Sequence, residues 1–319
     1  MNRRDFLLQA AAGAAVAGGA LHLSESAAAA DTAGLQSTYS AEALPWLRGN
    51  LHTHTTNSDG KRPPQFVVDA YAELGYDFLM ISDHDQLTDP GPLDAKGMTL
   101  IPGNEISAKG PHLLHVDAKS VVPPLPDRQA VLDQIAAEGG LAVMNHPNWT
   151  GNYNHCDLGL LEKLQGYAGI EIFNAVILYL EGCELATDKW DRLLAQGRRV
   201  WGFATDDSHH DDHRGLGWLM VQSADRSAGA IVGALRTGRF YSSTGVTVDE
   251  IKTDGLTVST RAANAQLFRV YGAKGRMLAT ARGQEIAYTV NPEKDGPYVR
   301  VEAFGEGDSR AWLQPMFLA

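Results

Sequence analysis

The stretch RGNLHTHTTNSDG, residues 48–60, places two histidines one residue apart and a carboxylate five positions after the second. The i, i+2 spacing of His52 and His54 puts both imidazoles on one face of a strand. Asp59 follows in an Asn-Ser-Asp-Gly segment that is typical of a turn. Taken alone, this pattern is more typical of a polar hairpin with two surface histidines. Its meaning therefore depends on whether the rest of the chain supplies further ligands.

Outward from this stretch, short apolar runs alternate with helical patterns as far as about residue 223. Helix-starting and helix-ending residues flank the helical patterns, with proline, Asp or Ser before them and glycine or Thr after them. The predicted helices lie at about 63–75, 127–139, 188–197 and 227–237. Alternation of strand and helix predicts a mostly parallel sheet covered by helices, with a polar site beyond the carboxyl ends of the strands.

Nearly every apolar run before residue 210 ends in a histidine or a carboxylate. These candidate residues are His52, His54, Asp83, His84, Glu105, His112, His115, His146, Asp207 and His209. Parallel strands bring such ends to one rim, where neutral imidazoles and carboxylates would repel one another without a cation. Nitrogen and oxygen ligands without cysteine suit zinc, manganese or iron. The number of candidates predicts two or three divalent metal ions.

The motifs LHTHTTNSDG, ISDHD, PGNEIS, NHPN and ATDDSHH resemble, in order and form, those of the PHP (polymerase and histidinol phosphatase) family. The resemblance covers roughly residues 48–245. It implies a distorted (β/α)7 barrel with a di- or trinuclear metal centre. The later stretch ALRTGRFYSSTG and the β-like runs after it resemble an exported branch that includes carbamate-ester hydrolases. We therefore expect a PHP barrel over 48–245 and a small β-rich, sandwich-like domain over 246–319.

The resemblance also implies a role for each ligand. His52 and His54 would bind one ion together with Glu105, which would bridge to a second ion. Asp59 and His84 would serve a third position. The remaining implied ligands are His146, which matches the family's His-Pro motif, and Asp207 with His209, which match its Asp-x-His motif.

One further ligand is implied between Glu105 and His146, and HLLHV offers two candidates for it. We prefer His112, because Leu113 and Leu114 then occupy the apolar positions after it, with His115 as the alternative.

Other polar residues lie beside these motifs. Asp83 directly precedes His84, so an extended backbone cannot aim both at one ion, and we expect Asp83 to accept a hydrogen bond from an imidazole. Arg214 and Asn148 are candidate substrate contacts. The additional candidates near the rim are Lys61, Arg62, Trp149, Glu171, Asn174, Asp206, His210 and His213, of which the last two are expected to be exposed or behind the ligands.

The chemistry expected of such a site is metal-assisted hydrolysis of a small-molecule ester or phosphoester, with Glu105 and His209 as catalytic residues. A hydroxide bridging the ions would attack phosphorus or carbon. Phosphoester hydrolysis is favoured, because the family implies it most often. The alternatives are a carboxyl or carbamate ester hydrolase on the same metals, and an exported metal-binding protein without turnover.

The formal net charge of −11 argues against nucleic acid or an anionic membrane as the main partner. MNRRDFLLQ and the alanine-rich run after it resemble a twin-arginine export signal over residues 1–30, followed by a leader over 31–47. We expect a periplasmic or secreted protein that has no membrane contact after signal removal; an uncleaved anchor is the alternative. Cys156 and Cys183 are equally compatible with a disulfide and with two thiols.

Overall fold

The computed structural model describes residues 34–319, so the expected signal segment and the first residues of the leader lie outside the described range. Within this range are five α-helices: α1 (Pro64–Glu73), α2 (Arg128–Glu138), α3 (Leu158–Lys163), α4 (Thr187–Leu194) and α5 (Ala228–Arg236). The strands of the same range are β1 (Leu35–Gln36), β2 (Trp46–Asn50), β3 (Phe78–Met80), β4 (Thr99–Ile101), β5 (Gly103–Ile106), β6 (Leu113–Val116), β7 (Leu141–Met144), β8 (Gly169–Asn174), β9 (Trp201–Thr205), β10 (Trp218–Gln222), β11 (Phe240–Ser243), β12 (Glu250–Asp254), β13 (Thr257–Arg261), β14 (Ala265–Gly272), β15 (Arg276–Arg282), β16 (Glu285–Thr289), β17 (Tyr298–Gly305), β18 (Arg310–Leu313) and β19 (Met316–Leu318).

The helices begin and end close to the residues that predict them. Pro64 occupies the first position of α1, where its missing N–H is not needed. The Asp127 side chain accepts two backbone N–H bonds in the first turn of α2, and Gly139 ends that helix with a φ of 79°. The Ser227 hydroxyl caps α5 in the same way. Local capping chemistry therefore confirms these helix predictions.

The strands form mixed sheets. One sheet has the order β1-β19-β17-β18-β11-β10-β2-β3-β4, with β14 and β15 attached through β17, and a second has the order β5-β6-β7-β8-β9. A smaller sheet contains β12, β13 and β16. The pairs β2/β3, β3/β4, β7/β8 and β8/β9 are parallel, whereas β5/β6, β6/β7 and β2/β10 are antiparallel.

The predicted distorted (β/α)7 barrel is therefore wrong. A (β/α)7 barrel needs a helical crossover after each strand, because parallel neighbours cannot be joined by a tight turn. Here residues 107–112 connect β5 directly to β6, and residues 206–217 return the chain from β9 to β10 without an α-helix. The first connection reverses the chain and gives the antiparallel pair β5/β6. The second leads from β9 in one sheet to β10 in the other, where β10 pairs antiparallel with β2.

The predicted sandwich-like C-terminal domain also needs correction. Residues 246–319 do form strands, but β18 pairs with β11 and β17 pairs with β18, which joins them to the sheet that contains β2. The aromatic ring of Trp312 belongs to the same buried cluster as Leu51 and Phe203. C-terminal side chains thus complete the core beneath the first strands, and each fully buried side chain of this size stabilises the fold by roughly 1.5–3 kcal/mol.

Cys156 is buried and Cys183 is partly buried, and both are free thiols. Of the alternatives that the sequence left open, the structure therefore shows two thiols. Across residues 34–319, none of the helices combines the length and the apolar character that a membrane crossing requires.

Candidate metal centre

The ends of β2 and β9 are joined by backbone contacts. The His54 amide donates to the Ser208 carbonyl at 2.8 Å, and Thr53 and Ser208 form an isolated parallel bridge. These contacts place the LHTH segment directly beside the loop that carries Asp207 and His209.

The ends of β3 and β5 meet in a similar way. His84 and Glu105 form an isolated parallel bridge, and the Glu105 amide donates to the Ser82 carbonyl at 3.1 Å. Glu105 itself lies in β5, so its side chain projects from regular structure rather than from a loop. Four chain segments that are far apart in sequence thus converge on one rim.

Glu105 is the centre of this rim. Its Oε2 lies 3.4 Å from His52 Nε2, 3.5 Å from His54 Nε2 and 2.9 Å from His84 Nδ1. Its Oε1 lies 3.1 Å from His112 Nδ1 and 3.3 Å from His146 Nε2. The two oxygens therefore face two different groups of imidazoles, an arrangement that suits a bridging carboxylate.

Asp207 is a second carboxylate that faces the histidines of the LHTH segment. Its Oδ1 lies 3.2 Å from both His52 Nε2 and His54 Nε2, and 3.6 Å from His209 Nδ1. Asp207 has a φ of 50° and His146 a φ of 27°, which is the left-handed region that non-glycine residues rarely adopt. Such strain is typical of functional sites, because surrounding contacts must hold it in place.

Asp59 forms the exposed edge of the rim, with 54% of its side chain accessible. Its carboxylate oxygens lie 3.3 Å from His209 Nε2, 3.5 Å from His84 Nε2 and 3.7 Å from His54 Nδ1. The turn after the LHTH segment thus carries a carboxylate back towards the histidines.

Several of these atoms approach one another without forming hydrogen bonds. Within the described chain, His52 Nε2, His54 Nε2 and Asp207 Oδ1 are buried and have no hydrogen-bond partner, although each nitrogen lies only 3.2 Å from the carboxylate oxygen. Buried polar atoms without partners are costly. Atoms that point at one common centre are what a cation requires, and ligands about 2.0–2.2 Å from an ion lie this close together.

The electrostatics also require positive charge here. Burial lowers the pKa of His52, but the carboxylates of Asp207, Glu171 and Glu105 outweigh it and raise that pKa well above its usual range. Burial raises the pKa of Glu105, yet the facing imidazoles of His52, His112 and His146 hold it well below its usual range. The carboxylates thus stay ionised. Their negative charge favours a cation bound to the imidazole nitrogens, which is either a proton or a metal ion.

Overlapping groups of three or four side chains bring their ligand atoms within 4.8 Å of one another. These groups are His54, Asp59, His84 and His209; His52, His54 and Asp207; His52, Glu105 and His146; His84, Glu105 and His112; and His112, His146 and His155. Together they include all nine residues that the sequence nominates as ligands. The residue types fit zinc, manganese or iron, and the role of each residue as a ligand stays a prediction.

His112, rather than His115, reaches the rim. His112 Nδ1 lies 3.1 Å from Glu105, whereas His115 is buried in β6 with its Nε2 4.0 Å from the Glu138 carboxylate. The geometry therefore favours the preferred candidate over its alternative.

Asp83 has different partners from those expected. It accepts hydrogen bonds from the Thr55 amide at 2.8 Å, the Thr55 hydroxyl at 2.7 Å and the Ser58 hydroxyl at 2.7 Å, and it also accepts from Thr88. These partners are hydroxyl and amide groups rather than an imidazole. Asp83 therefore shapes the loop that presents Asp59.

Glu171 fills the role that we assigned to Asp83. Its Oε1 lies 2.7 Å from His52 Nδ1, and its Oε2 accepts from the His146 amide at 2.7 Å and from Asn174 at 2.8 Å. A carboxylate on Nδ1 fixes the tautomer and leaves Nε2 for a metal. The sequence placed Glu171 near the rim only as one of several weak candidates, because a glutamate within a strand carries no motif.

The two predicted substrate contacts are directed elsewhere. Arg214 pairs with Asp211 at 2.8 Å, and Arg62 pairs with the same carboxylate at 3.0 Å. Asn148 donates to Asp188 and to the Leu185 carbonyl, both at 2.8 Å, and so ties its loop to α4. Neither Arg214 nor Asn148 lines the cleft above the rim.

Two further residues support the site: His155, which the sequence did not nominate, and Asp206, which it named only as an additional candidate near the rim. Burial and the nearby histidines lower the pKa of His155 to about 3, and its neutral Nε2 accepts the His112 amide at 3.0 Å. Burial raises the pKa of Asp206 to about 6, although this carboxylate accepts three backbone N–H bonds from residues 215–217. His155 thus positions His112, and Asp206 shapes the loop after Asp207.

The rim forms the floor of a cleft of about 360 Å³. Lys61, His210 and His213 line it, so the two histidines expected to be exposed or behind the ligands face this opening. Trp149 and residues of the segment that follows β8 also line it. A cleft of this size accepts a small molecule.

No family model and no curated protein sequence matches this chain. Among solved structures, the chain is similar to a two-domain protein from Bacteroides vulgatus described as containing a predicted PHP-like metal-dependent phosphoesterase. The TM-score is 0.53 at 17% sequence identity, over 82% of this chain and 91% of that chain. The likeness shows a shared fold over most of both chains.

Two other solved structures are more distant. One is an amidohydrolase from Chromobacterium violaceum with bound sulfate and no metal, with 16% identity, a TM-score of 0.37, and coverage of 50% of this chain and 87% of that chain. The other is a proposed metal-dependent phosphoesterase from Bifidobacterium adolescentis, with 16% identity, a TM-score of 0.39, and coverage of 53% of this chain and 89% of that chain.

Proposed function

We propose that this protein is a metal-dependent hydrolase of the PHP type that cleaves a phosphoester of a small molecule. The observation that carries the proposal is the convergence of buried imidazole and carboxylate atoms that face one another without hydrogen bonds. The fold shared with a protein described as PHP-like supports it. In a purely structural cluster of buried charges, these atoms would form hydrogen bonds with one another.

The side chains of the rim divide into those that would hold two or three divalent ions and those that position them. The proposed ligands are His52, His54, Asp59, His84, Glu105, His112, His146, Asp207 and His209. Ions held in this way supply Lewis-acid activation of water and of an ester oxygen.

Side chains of the protein would orient the ligands and donate a proton to the leaving group. Glu171 holds His52 with its Nε2 towards Glu105 and Asp207. At the open edge, His209 Nε2 faces Asp59 Oδ1 at 3.3 Å, and both side chains reach the cleft. Because one nitrogen cannot hold both an ion and a proton, His209 Nε2 would serve either as a ligand or as the general acid. In the second case its proton lies at the open edge of the cleft, where it can reach a leaving group.

One observation favours the carboxyl or carbamate ester alternative. Among the described residues that line the cleft, Lys61 carries the only ammonium or guanidinium group. Arg62 and Arg214 do not line the cleft and are paired with Asp211. A phosphomonoester usually meets several fixed cations or donors. A neutral ester needs none beyond the metal ions.

The test uses the full chain loaded with Zn²⁺, Mn²⁺ or Fe²⁺ and the same protein after EDTA treatment. We expect hydrolysis of 4-nitrophenyl phosphate or bis(4-nitrophenyl) phosphate that chelation abolishes and metal restores. Faster cleavage of 4-nitrophenyl acetate or an aryl carbamate would replace the phosphoesterase proposal by its alternative. Tight metal binding without turnover on either panel would indicate a metal-binding protein.

Export by the twin-arginine route is a separate proposal, supported by the paired Arg3 and Arg4 ahead of an alanine-rich run. Replacing both arginines by lysine should keep the protein in the cytoplasmic fraction. Unchanged export of that variant would contradict the proposed route.

A further inference from the structure

One wall of the cleft is apolar. Trp149, Val176, Ile177 and Leu180 line it directly above the candidate ligands. Val176 and Ile177 are buried, whereas Leu178, Tyr179 and Leu180 are 54%, 52% and 48% exposed. A run of three exposed apolar residues beside a polar cleft has no explanation in core packing, since core residues leave water.

This wall is fixed in place from both sides. The Thr150 amide donates to the Glu181 carbonyl at 3.0 Å, and Trp149 and Gly182 form an isolated antiparallel bridge. On the other side, the Tyr179 ring stacks on His213, with ring centroids 4.6 Å apart. The apolar residues therefore connect the loop after His146 to the loop after His209 and have little freedom to collapse.

The Trp149 ring also contacts the candidate ligands edge-on. Its centroid lies 5.0 Å from that of His146 and 5.7 Å from that of His112, with interplanar angles of 82° and 62°. An apolar group resting on Leu180 and Trp149 would thus be adjacent to the proposed reaction centre. The wall and the rim form one continuous surface.

We propose that Trp149, Val176, Ile177 and Leu180 form a subsite that takes an aromatic or branched alkyl group of the ester substrate. This inference rests on the proposed hydrolase function and assigns its substrate class. The Lys61 side of the cleft receives the polar part of the substrate, and the apolar wall discriminates among esters by the size of the group next to the bond that breaks.

The first experiment compares two phosphodiesters with the same leaving group, methyl 4-nitrophenyl phosphate and phenyl 4-nitrophenyl phosphate. We expect kcat/KM to be roughly tenfold higher for the phenyl ester, since pockets of this kind discriminate by about 10–200-fold per apolar group. Leu180→Ser should reduce this preference about fivefold, through KM rather than kcat. Because Leu180 is half exposed, this variant should fold.

Met277→Ser is the matched control. Met277 is 54% exposed on β15, away from the cleft, so its replacement removes similar exposed apolar surface without touching the wall. The phenyl preference should be the same as in the wild-type protein. Equal loss in both variants would overturn the subsite.

A binding measurement separates the subsite from turnover. Phenylphosphonate and methylphosphonate carry an unreactive P–C bond, and calorimetry on the metal-loaded protein gives their affinities and heat capacities. Phenylphosphonate should bind more tightly and with a more negative heat-capacity change, which marks apolar burial. Leu180→Ser should remove most of both differences.

The outcomes are distinguishable. Phenyl-selective binding that depends on Leu180, without hydrolysis of any ester, would overturn the proposed function and support the subsite. Hydrolysis with no phenyl preference, or with a preference that Leu180→Ser leaves intact, would overturn the subsite and support the function. Failure of both phosphonates to bind would also overturn the subsite.

Discussion

Two groups of buried charged side chains in the described part of the chain differ in their pairing: the rim around Glu105, and a cluster between α4 and β17. In the second place, Arg300 donates to both oxygens of Asp191, at 2.7 Å and 2.6 Å, and also to Glu302. The Tyr298 hydroxyl adds a 2.7 Å bond to Asp191. Every charge in this cluster meets an opposite charge with hydrogen-bond geometry.

The rim contrasts with the Arg300 cluster in this respect. Its central residues His52, His54, Glu105, His146 and Asp207 are just as buried, but several of their atoms approach without bonding. A closed ion cluster fixes how two elements pack, whereas an open one is stable only when a cation supplies the missing interactions. Burial of charged side chains alone therefore does not mark a functional site. The mark is a set of buried polar atoms that point at one centre without forming hydrogen bonds to one another.

The largest expected effect is on activity at the rim. Glu105→Gln removes the charge that faces both imidazole groups, so we expect loss of bound metal and a loss of turnover on the order of 10³-fold or more. The measurements are elemental analysis and kcat/KM on the best substrate of the panel. Glu302→Gln, a matched change in the closed cluster, should leave metal content unaltered; unchanged metal in Glu105→Gln would show that the centre is misplaced.

The converse experiment breaks the closed cluster. Asp191→Asn leaves the buried Arg300 guanidinium without its bidentate partner, which costs about 3–5 kcal/mol in the free energy of unfolding. Urea unfolding monitored by circular dichroism measures this loss. Metal content per folded molecule should stay at the wild-type value. A variant as stable as the wild type would mean that Glu302 alone compensates the charge of Arg300.

The contrast between the clusters also bears on what the sequence reveals. Residues at the rim could be nominated because short motifs such as LHTH and ATDDSH concentrate ligand types at the ends of apolar runs. The Arg300 cluster could not, because Asp191 and Arg300 lie 109 positions apart and belong to ordinary helix and strand patterns. The same reason hid Glu171, whose partner His52 is 119 positions away.

The relative direction of paired strands also could not be predicted from the sequence. HLLHV is legible as an apolar run, but nothing in its side chains says whether β6 runs parallel or antiparallel to β5. The partners of Asn148 were hidden too, because the Leu185 carbonyl and Asp188 come from a distant segment. Local helix caps need no such long-range knowledge, which is why α2 was predicted closely.

A smaller effect should follow from Glu171→Gln. The amide group cannot accept from His52 Nδ1 and from the His146 amide as both carboxylate oxygens do, so His52 loses its fixed orientation. We expect metal affinity to fall about 10–100-fold. Competition with a chromophoric chelator measures it. Thr205→Val, which removes only a hydroxyl donor to the same carboxylate, should change affinity much less.

The smallest effect concerns pH. The pKa of His155 is lowered by burial to about 3 from an ordinary value of 6.5, so the unfolded chain binds the proton more readily. The stability that this neutral imidazole contributes is complete above pH 6.5 and declines as the pH falls towards 3, by up to about 2 kcal/mol at pH 5. His155→Gln keeps an acceptor for the His112 amide but does not titrate. Urea unfolding of the metal-free chain at pH 7.5 and pH 5 should therefore show a smaller loss in the variant than in the wild type. An equal loss would assign the acid sensitivity to other groups, such as His54, whose pKa is also lowered by burial.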